Sequence, residues 1–283
     1  MSYYEVLGLN AEPFSTSPDP SFFFLSKGHK AALYRLQIAL KLRRGLSVIM
    51  GDVGTGKTTL SRKLAQVLRE EQDVNLYMIL NPYFKSQKQF LTRLVSLFHL
   101  DMPPRRSSGL DCIEAIEHFL FQKGIQEQKV VVLLIDEAQL LSDYVLEILR
   151  ILLNYETNEY KILQLVLVGQ IELLPRISKL ANFWDRIALK CVIRPLGLEE
   201  TREMIDFRLR QAGSNGEALF TERSIALIHE HTSGYPRKLS LMCHTLLETL
   251  VMHDKKIVDE ALVREAITAD VQPMRIGSVP SVC

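Results

Sequence analysis

Several features that define specialised classes of protein are missing from this 283-residue chain. It has only four cysteines, which lie far apart and form no C-x-x-C pair, so a disulfide framework and a zinc site of that kind are excluded. No apolar run approaches the ~18 residues of a membrane helix, and the N-terminus lacks the basic and apolar blocks of a signal peptide. Internal repeats and coiled-coil heptads are also absent.

The chain also lacks an excess of charge of either sign. Its 34 basic and 33 acidic residues give a net charge of +1, which provides no overall attraction to nucleic acid or to an anionic membrane. Hydrophobic residues at 47% and charged residues at 24% are typical of a globular protein with a sizeable core. We therefore expect a cytoplasmic chain, or the cytoplasmic part of a membrane-anchored protein, that does not itself insert into a membrane.

One motif organises the sequence, and it fits G-x-x-x-x-G-K-[ST] at every fixed position. Before it, Leu46–Met50 (LSVIM) is predicted to be a short buried strand; after it, Lys57–Glu71 is predicted to be a helix with one apolar face. The predicted nucleotide-binding residues are Gly51, Asp52, Val53, Gly54, Thr55, Gly56, Lys57, Thr58 and Thr59.

Strand, glycine loop and helix N-terminus together suit the binding of a triphosphate. Glycines let backbone N–H groups converge on phosphate oxygens, and the helix N-terminus favours negative charge there. Lys57 can reach the β- and γ-phosphates, and the Thr58 hydroxyl can ligate Mg²⁺. The alternative is a glycine turn that merely begins a helix, but the flanking strand and helix favour nucleotide binding.

The rest of the chain predicts an α/β fold, with a parallel sheet flanked by helices as in P-loop NTPases. Further strands are predicted at 74–80, 130–135, 162–168 and 188–193, separated by helices. From residue 198 only helices follow. We therefore predict an N-terminal clip at 1–26, a nucleotide-binding core at 27–196, a small all-helical lid domain at 197–270 and a flexible tail at 271–283. Within the clip, Phe22–Leu25 is predicted to be an edge strand or a segment packed on the core; the segment could also lie beside the nucleotide.

A second chemical group follows the buried strand Val130–Ile135. Asp136 and Glu137 lie at its carboxyl end, on the edge of a parallel sheet where ligands bind. We expect Asp136 to hold Mg²⁺, mainly through water, and Glu137 to polarise the water that attacks the γ-phosphate. Without other motifs, an Asp-Glu pair at the end of a strand indicates only a solvated turn. The phosphate loop upstream favours a catalytic role for the pair.

Two further polar residues are candidates for contact with the γ-phosphate. Gln170, at the end of the next strand, is placed to touch that phosphate or to orient the water, although a glutamine there is commonly just polar surface. Arg237, in the segment Gly234–Arg237 (GYPR), can report the phosphate from the helical domain. The alternative for Arg237 is a surface ion pair.

With these motifs the chain resembles AAA+ ATPases, and among them the ExeA/GspA type of the general secretion pathway. The resemblance covers residues 1–270. Besides the phosphate loop, it is carried by an N-terminal block and by three later segments: Tyr3–Leu9 (YYEVLGL), Pro13–Phe14 and Pro18–Pro20, then Leu134–Gln139 (LIDEAQ), Leu167–Gln170 (LVGQ) and Gly234–Arg237 (GYPR). It implies ATP as the nucleotide, which agrees with the lack of a guanine-reading N-K-x-D motif. By the same resemblance, Gln170 matches the polar sensor of the fourth strand and Arg237 the second-sensor arginine.

The family also implies an arginine finger that reaches the neighbouring subunit from just before the last core strand. Arg186 is the best match and Arg176 the second, while Lys190 stands where relatives often carry a further arginine. The alternative for Arg186 is an ion pair with Asp185 or another local acid.

The resemblance further implies a homo-oligomer, ring or helical, that ATP favours and that drives assembly of a protein partner complex in secretion or in the envelope. Full ExeA-like proteins continue into a membrane helix and a periplasmic part, so we expect a cytosolic fragment or a stand-alone relative. The alternative function is that of a DNA-binding regulator of the MuB/TnsC transposition type. In that case the loop Tyr83–Lys88 and the pair Arg105–Arg106 could face a central pore on duplex DNA, although such clusters are usually solvated faces.

Overall fold

The computed structural model describes residues 2–15, 20–101, 108–216 and 218–271. By contact density the polypeptide divides into two compact units, a core unit of residues 25–194 and a helical unit of residues 1–24 and 195–283. The helices and strands, in chain order, are α1 (Tyr3–Val6), α2 (Lys27–Lys41), β1 (Leu46–Gly51), α3 (Lys57–Arg69), β2 (Val74–Ile79), α4 (Gln87–Leu97), α5 (Gly109–Phe121), β3 (Val130–Ile135), α6 (Asp143–Leu152), β4 (Leu163–Gly169), α7 (Leu173–Lys179), α8 (Ala181–Trp184), β5 (Ile187–Ile193), α9 (Leu198–Gln211), α10 (Glu222–Thr232), α11 (Pro236–Met252) and α12 (Glu260–Val271).

The core unit is built on a parallel five-stranded sheet with the strand order β2-β3-β4-β1-β5. The three central strands, β3, β4 and β1, are buried at every position. Continuous apolar, β-branched runs form such strands because helices cover both faces of the sheet. The predicted α/β fold of P-loop NTPases is therefore confirmed.

Strand order decides where the polar loops meet. β1 lies between β4 and β5, and β3 lies next to β4, so the loops that follow β1, β3 and β4 open at one edge of the sheet. That edge is the carboxyl end of parallel strands, where ligands of open α/β sheets bind. Along the chain, the helices α7 and α8 lie between β4 and β5.

The helix α5 does not end in a regular α-helical turn. α5 passes into a π-helical turn at Gln122–Gln126, which widens the last turn before β3. Gly124 is pressed against Ile162 there, since an added Cβ would lie 2.4 Å from the Ile162 side chain. Arg43 donates a hydrogen bond of 3.0 Å to the Gly124 carbonyl oxygen, which ties this turn to the end of α2. These close contacts account for the change of helical period.

The helical unit contains α1 and α9–α12, together with the aromatic N-terminal segment. The predicted edge strand at Phe22–Leu25 is wrong, because Pro20–Phe22 forms a short 3-10 helix and no strand follows it. Leu9 and Phe14 are buried in the apolar cluster of this unit, and the Phe14 ring meets the Phe220 ring edge-on at 6.2 Å. The aromatic residues of the segment are thus used to complete the helical core. Of the predicted flexible tail at 271–283, Val271 is instead the last residue of α12, and residues 272–283 lie outside the described residues.

Candidate functional site

The loop between β1 and α3 requires glycine at three of its positions. Gly54 and Gly56 have φ angles of 83° and 93°, in the left-handed region that side chains rarely adopt, and Gly56 is the N-cap of α3. Gly51 has no room for a side chain, because a Cβ would lie 2.5 Å from the Ile193 carbonyl oxygen of β5. The three glycines therefore let the backbone turn back over the N-terminus of α3, the arrangement expected of a phosphate cradle.

Two polar side chains donate hydrogen bonds to the backbone of the same loop. The fully buried Thr55 donates its hydroxyl to the Asp52 carbonyl oxygen at 2.9 Å, and Lys57 Nζ donates to the same oxygen at 2.8 Å. Burial lowers the pKa of the Lys57 ammonium, and the nearby carboxylates of Glu137 and Asp136 oppose that shift. Hydrogen bonds between two ionised groups are stronger than those to a neutral carbonyl oxygen. The buried Lys57 ammonium is therefore stabilised further if an anionic oxygen replaces the Asp52 carbonyl oxygen.

Asp136 brings the end of β3 against the start of α3. Its side chain is buried, and Oδ1 accepts the N–H of Glu137 at 2.9 Å. Ser61 Oγ lies 3.2 Å from Oδ2 while also donating to the Thr58 carbonyl oxygen, and the Thr58 hydroxyl is near enough to the carboxylate to lower its pKa. Burial raises the pKa of Asp136, and these hydrogen bonds offset part of that shift.

The residue after it, Glu137, is half-buried in an unusual backbone conformation. Its φ of 52° is left-handed, which costs a residue with a side chain roughly 1–3 kcal/mol. Gln139 Nε2 donates to Glu137 Oε2 at 2.5 Å, and Gln139 Oε1 accepts the N–H of Gln170 at 3.0 Å. The structure therefore connects Glu137 and Gln170, two predicted site residues, through a third residue that the sequence analysis did not single out.

A buried histidine supports the phosphate loop from behind. His29, on α2, places Nε2 2.9 Å from the Thr55 carbonyl oxygen and Nδ1 2.8 Å from Ser26 Oγ. Because a carbonyl oxygen only accepts, Nε2 carries the proton, and in the neutral ring the Ser26 hydroxyl then donates to Nδ1. The contact joins residues 26 positions apart, so no local pattern could have indicated it.

The two candidates for an arginine finger have different surroundings. Arg176, on α7, donates to the Gln139 carbonyl oxygen at 2.8 Å, to that of Leu141, and to Asp143 Oδ1 at 2.6 Å. Arg176 thus braces the segment that follows the acidic pair. Arg186 donates to the Arg150 carbonyl oxygen at 3.2 Å and to Asn154 Oδ1, at the end of α6.

The remaining predicted residues lie elsewhere. Lys190 is exposed on β5, with its ammonium 3.5 Å from the centre of the Trp184 ring. Arg237 belongs to the helical unit, where Pro236 begins α11 and Arg237 is exposed in its first turn. Of the predicted loop Tyr83–Lys88, Gln87 and Lys88 instead begin α4, and the Tyr83 ring is 67% exposed. Arg105 and Arg106 lie outside the described residues.

Two comparisons of the sequence with known proteins agree on the family. A family model described as an AAA domain matches residues 41–177, which include the phosphate loop, the acidic pair and Gln170. General secretion pathway protein A of Aeromonas hydrophila is 35% identical over 261 residues, which are 90% of this chain and 46% of that protein. The chain therefore contains an AAA domain of the AAA+ ATPases and is similar over most of its length to part of general secretion pathway protein A. It spans less than half of the length of the curated relative.

Solved structures support the AAA+ fold. Cdc6p of Pyrobaculum aerophilum matches with a TM-score of 0.69 at 17% identity, covering 91% of this chain and 70% of that one. The ORC2 protein of Aeropyrum pernix matches with a TM-score of 0.64 at 17% identity, covering 92% and 71%. Among the described residues of this AAA+ chain, no helix is long and apolar enough to cross a membrane.

The support given by His29 can be tested by replacing the ring with an apolar side chain. His29→Leu leaves the buried Thr55 carbonyl oxygen without its donor, a loss of about 1–3 kcal/mol. We expect a lower free energy of unfolding by that amount and weaker binding of a fluorescent nucleotide, measured by denaturant titration and fluorescence anisotropy. His118→Leu, on the exposed face of α5, is the matched control. Wild-type nucleotide affinity in His29→Leu would show that the loop keeps its shape without the histidine.

Proposed function

We propose that this AAA+ chain binds ATP with Mg²⁺ at the carboxyl edge of its sheet and hydrolyses it there. The observation that carries the proposal is the hydrogen bond of 3.2 Å from Ser61 of α3, the helix that follows the phosphate loop, to the buried Asp136 carboxylate. Hydrolysis of a magnesium nucleotide requires a phosphate loop and a metal-holding carboxylate within reach of each other. That contact joins them.

The oxygens around α3 fit a magnesium ion. Mg²⁺ prefers hard oxygen ligands and usually takes one or two from the protein, with water and phosphate oxygens completing its octahedron. The Thr58 hydroxyl would supply one direct ligand, and the Asp136 carboxylate would act mainly through a bound water. The residues Gly51–Thr59 would hold the phosphates through backbone N–H groups, and Lys57 would leave the Asp52 carbonyl oxygen for the β- and γ-phosphate oxygens. When bound, Mg²⁺ neutralises charge that develops on those oxygens.

The protein's own groups then act on the attacking water. Glu137, next to the metal-holding Asp136, is the proposed base that orients and polarises the water. Gln170, at the end of β4, is the proposed contact to the γ-phosphate or to that water. Arg237 is the proposed second sensor, contributed by the helical unit.

Two substitutions separate binding from hydrolysis. Lys57→Ala removes the cation of the phosphate loop and is expected to abolish nucleotide binding. Glu137→Gln keeps the size and polarity of the side chain but removes the carboxylate, so it is expected to bind ATP and hardly cleave it. Fluorescence anisotropy with a labelled nucleotide and a phosphate-release assay measure the two properties. Undiminished turnover in Glu137→Gln would refute the assignment of the base.

We further propose that the chain forms an ATP-favoured ring or helical homo-oligomer and drives assembly of a protein partner complex. The similarity to general secretion pathway protein A supports a role connected with secretion or with the envelope. Because the chain spans 46% of that relative, the partner complex belongs to a proposal about the whole protein.

In the proposed oligomer, Arg186 is the finger supplied to a neighbour. It stands at the turn before β5, where its hydrogen bonds go to a carbonyl and an amide oxygen, and the Glu156 carboxylate is near enough to interact with its charge. The carbonyl and amide oxygens are neutral acceptors that an anionic phosphate outcompetes. Arg176, whose contacts include the carboxylate of Asp143, is the weaker choice.

The shared site predicts that turnover depends on protein concentration. An arginine from a neighbouring subunit can raise turnover by about 10³ to 10⁵, so the specific ATPase activity of the wild type should rise on concentration. Arg186→Ala should keep ATP binding and lose that rise, and mixing it with Lys57→Ala should restore part of the activity. Phosphate release across a dilution series measures this. A flat wild-type series, or an inactive mixture, would refute the shared site.

A DNA-binding role is the second candidate, and one feature of the surface favours it. An open groove along α4 is lined by Phe84, Lys88, Thr92 and Arg93, and the exposed Tyr83 precedes it. Cations beside aromatic rings suit phosphates and bases. If this surface reads duplex DNA, binding with ATP present should weaken steeply between low and high salt, and a Lys88→Gln/Arg93→Gln variant should reduce the salt slope. ATP-dependent binding that salt does not weaken, or none, would dispose of this candidate.

A further inference from the structure

Gln139 links the ends of two neighbouring strands at the proposed catalytic edge. It lies in the 3-10 turn Ala138–Leu140 that follows β3. Its side-chain amide donates to Glu137 Oε2 at 2.5 Å and accepts the N–H of Gln170, after β4, at 3.0 Å. The orientation of the amide is fixed by chemistry, because a carboxylate oxygen can only accept and a backbone N–H can only donate.

The surroundings leave Gln139 little freedom to take another position. Arg176 Nη1 donates to the Gln139 carbonyl oxygen at 2.8 Å, which anchors its backbone. On the other side, Gly169 makes space for the side chain: a Cβ on that residue would lie 3.0 Å from Gln139 Oε1. The backbone and the side chain of Gln139 are therefore both held, so its amide has a fixed position from which it reaches Glu137.

We propose that Gln139 is a positioning residue that fixes the carboxylate of Glu137 for attack by water and couples it to the end of β4. The inference rests on the proposed function, in which Glu137 is the base. Glu137 itself sits in a left-handed backbone conformation, which persists only where surrounding contacts maintain it. Holding one carboxylate oxygen leaves the other for the proton of the water. Since Gln170 is the proposed γ-phosphate contact, a movement of its backbone is transmitted to Glu137 through this one amide.

A purely structural role for Gln139 is the alternative, in which it only ties β3 to β4. The two roles differ in what a substitution changes. Loss of positioning lowers kcat and leaves KM and ATP affinity unchanged, because the contact acts on the attacking water and not on the bound nucleotide. If the role is only structural, losing the contact lowers the free energy of unfolding. It then changes turnover in the Glu137→Gln protein as well as in the protein that keeps Glu137.

Two variants separate the two hydrogen bonds. Gln139→Met removes both in a side chain of similar length. Gln139→Glu keeps an acceptor for the Gln170 N–H but loses the donor to Glu137. Misplacing a catalytic group by about 1 Å can cost about 100-fold, so we expect kcat of both variants to fall by about 10- to 100-fold. ATP affinity by fluorescence anisotropy should match that of Gln126→Met, an exposed control in the π-helical turn, and so should the thermal midpoint of Gln139→Glu, which keeps the acceptor for the Gln170 N–H.

The deciding measurement is a double-mutant cycle with Glu137→Gln. If Gln139 acts through the carboxylate, Glu137→Gln/Gln139→Met turns over no more slowly than Glu137→Gln alone. Losses that multiply, or a Gln139→Met variant with wild-type kcat, would overturn the proposal. An inactive wild type, or a fully active Glu137→Gln, would refute the proposed function and this inference with it. If those two proteins behave as expected and only the cycle fails, Gln139 alone is wrongly assigned.

Discussion

Burial of the Asp136 carboxylate is the constraint on which the organisation of the core unit's site depends. Removing an ionised group from water costs several kcal/mol, whereas a hydrogen bond to a charged acceptor returns about 1.5–3 kcal/mol. The N–H of Glu137 and the hydroxyl of Ser61 supply such bonds, and the nearby Thr58 hydroxyl also favours the ionised carboxylate. Because the two hydroxyls belong to α3, satisfying Asp136 holds the end of β3 against the helix that follows the phosphate loop.

These hydrogen bonds do not fully offset the cost of burying the Asp136 carboxylate, so a bound ligand can stabilise the site further. The proton of Ser61 is shared with the Thr58 carbonyl oxygen, and burial still raises the pKa of Asp136. Lys57, buried beside it, has only a carbonyl oxygen as hydrogen-bond partner for its ammonium in the described contacts. A cation beside Asp136 and an anion beside Lys57 would each relieve an uncompensated charge. A magnesium nucleotide brings both at once, and we regard this as the physical basis of the proposed function.

Local patterns were sufficient for the parts of the site that lie in one short segment. The glycine loop and the acidic pair were predicted because their spacing, and the apolar strands before them, are visible in the sequence. The supports from distant segments were not predictable, since His29 meets Thr55 and Gln139 meets Gln170 across 26 and 31 residues. The aromatic segment Phe22–Leu25 predicts an edge strand or a segment packed on the core, and no strand forms there. Instead, Phe22 and Phe24 pack against the apolar cluster of the helical unit, and Phe24 lies 6.0 Å from Phe207 between ring centres.

The central claim is that the phosphate loop and the acidic pair form one magnesium–nucleotide site. A crystal structure of the Glu137→Gln protein with ATP and Mg²⁺ tests it most directly. The account predicts that Lys57 Nζ leaves the Asp52 carbonyl oxygen for the β- and γ-phosphate oxygens, with the metal on the Thr58 hydroxyl and one water away from Asp136. Phosphates bound elsewhere, or a metal remote from Thr58 and Asp136 while Lys57 stays on Asp52, would contradict it.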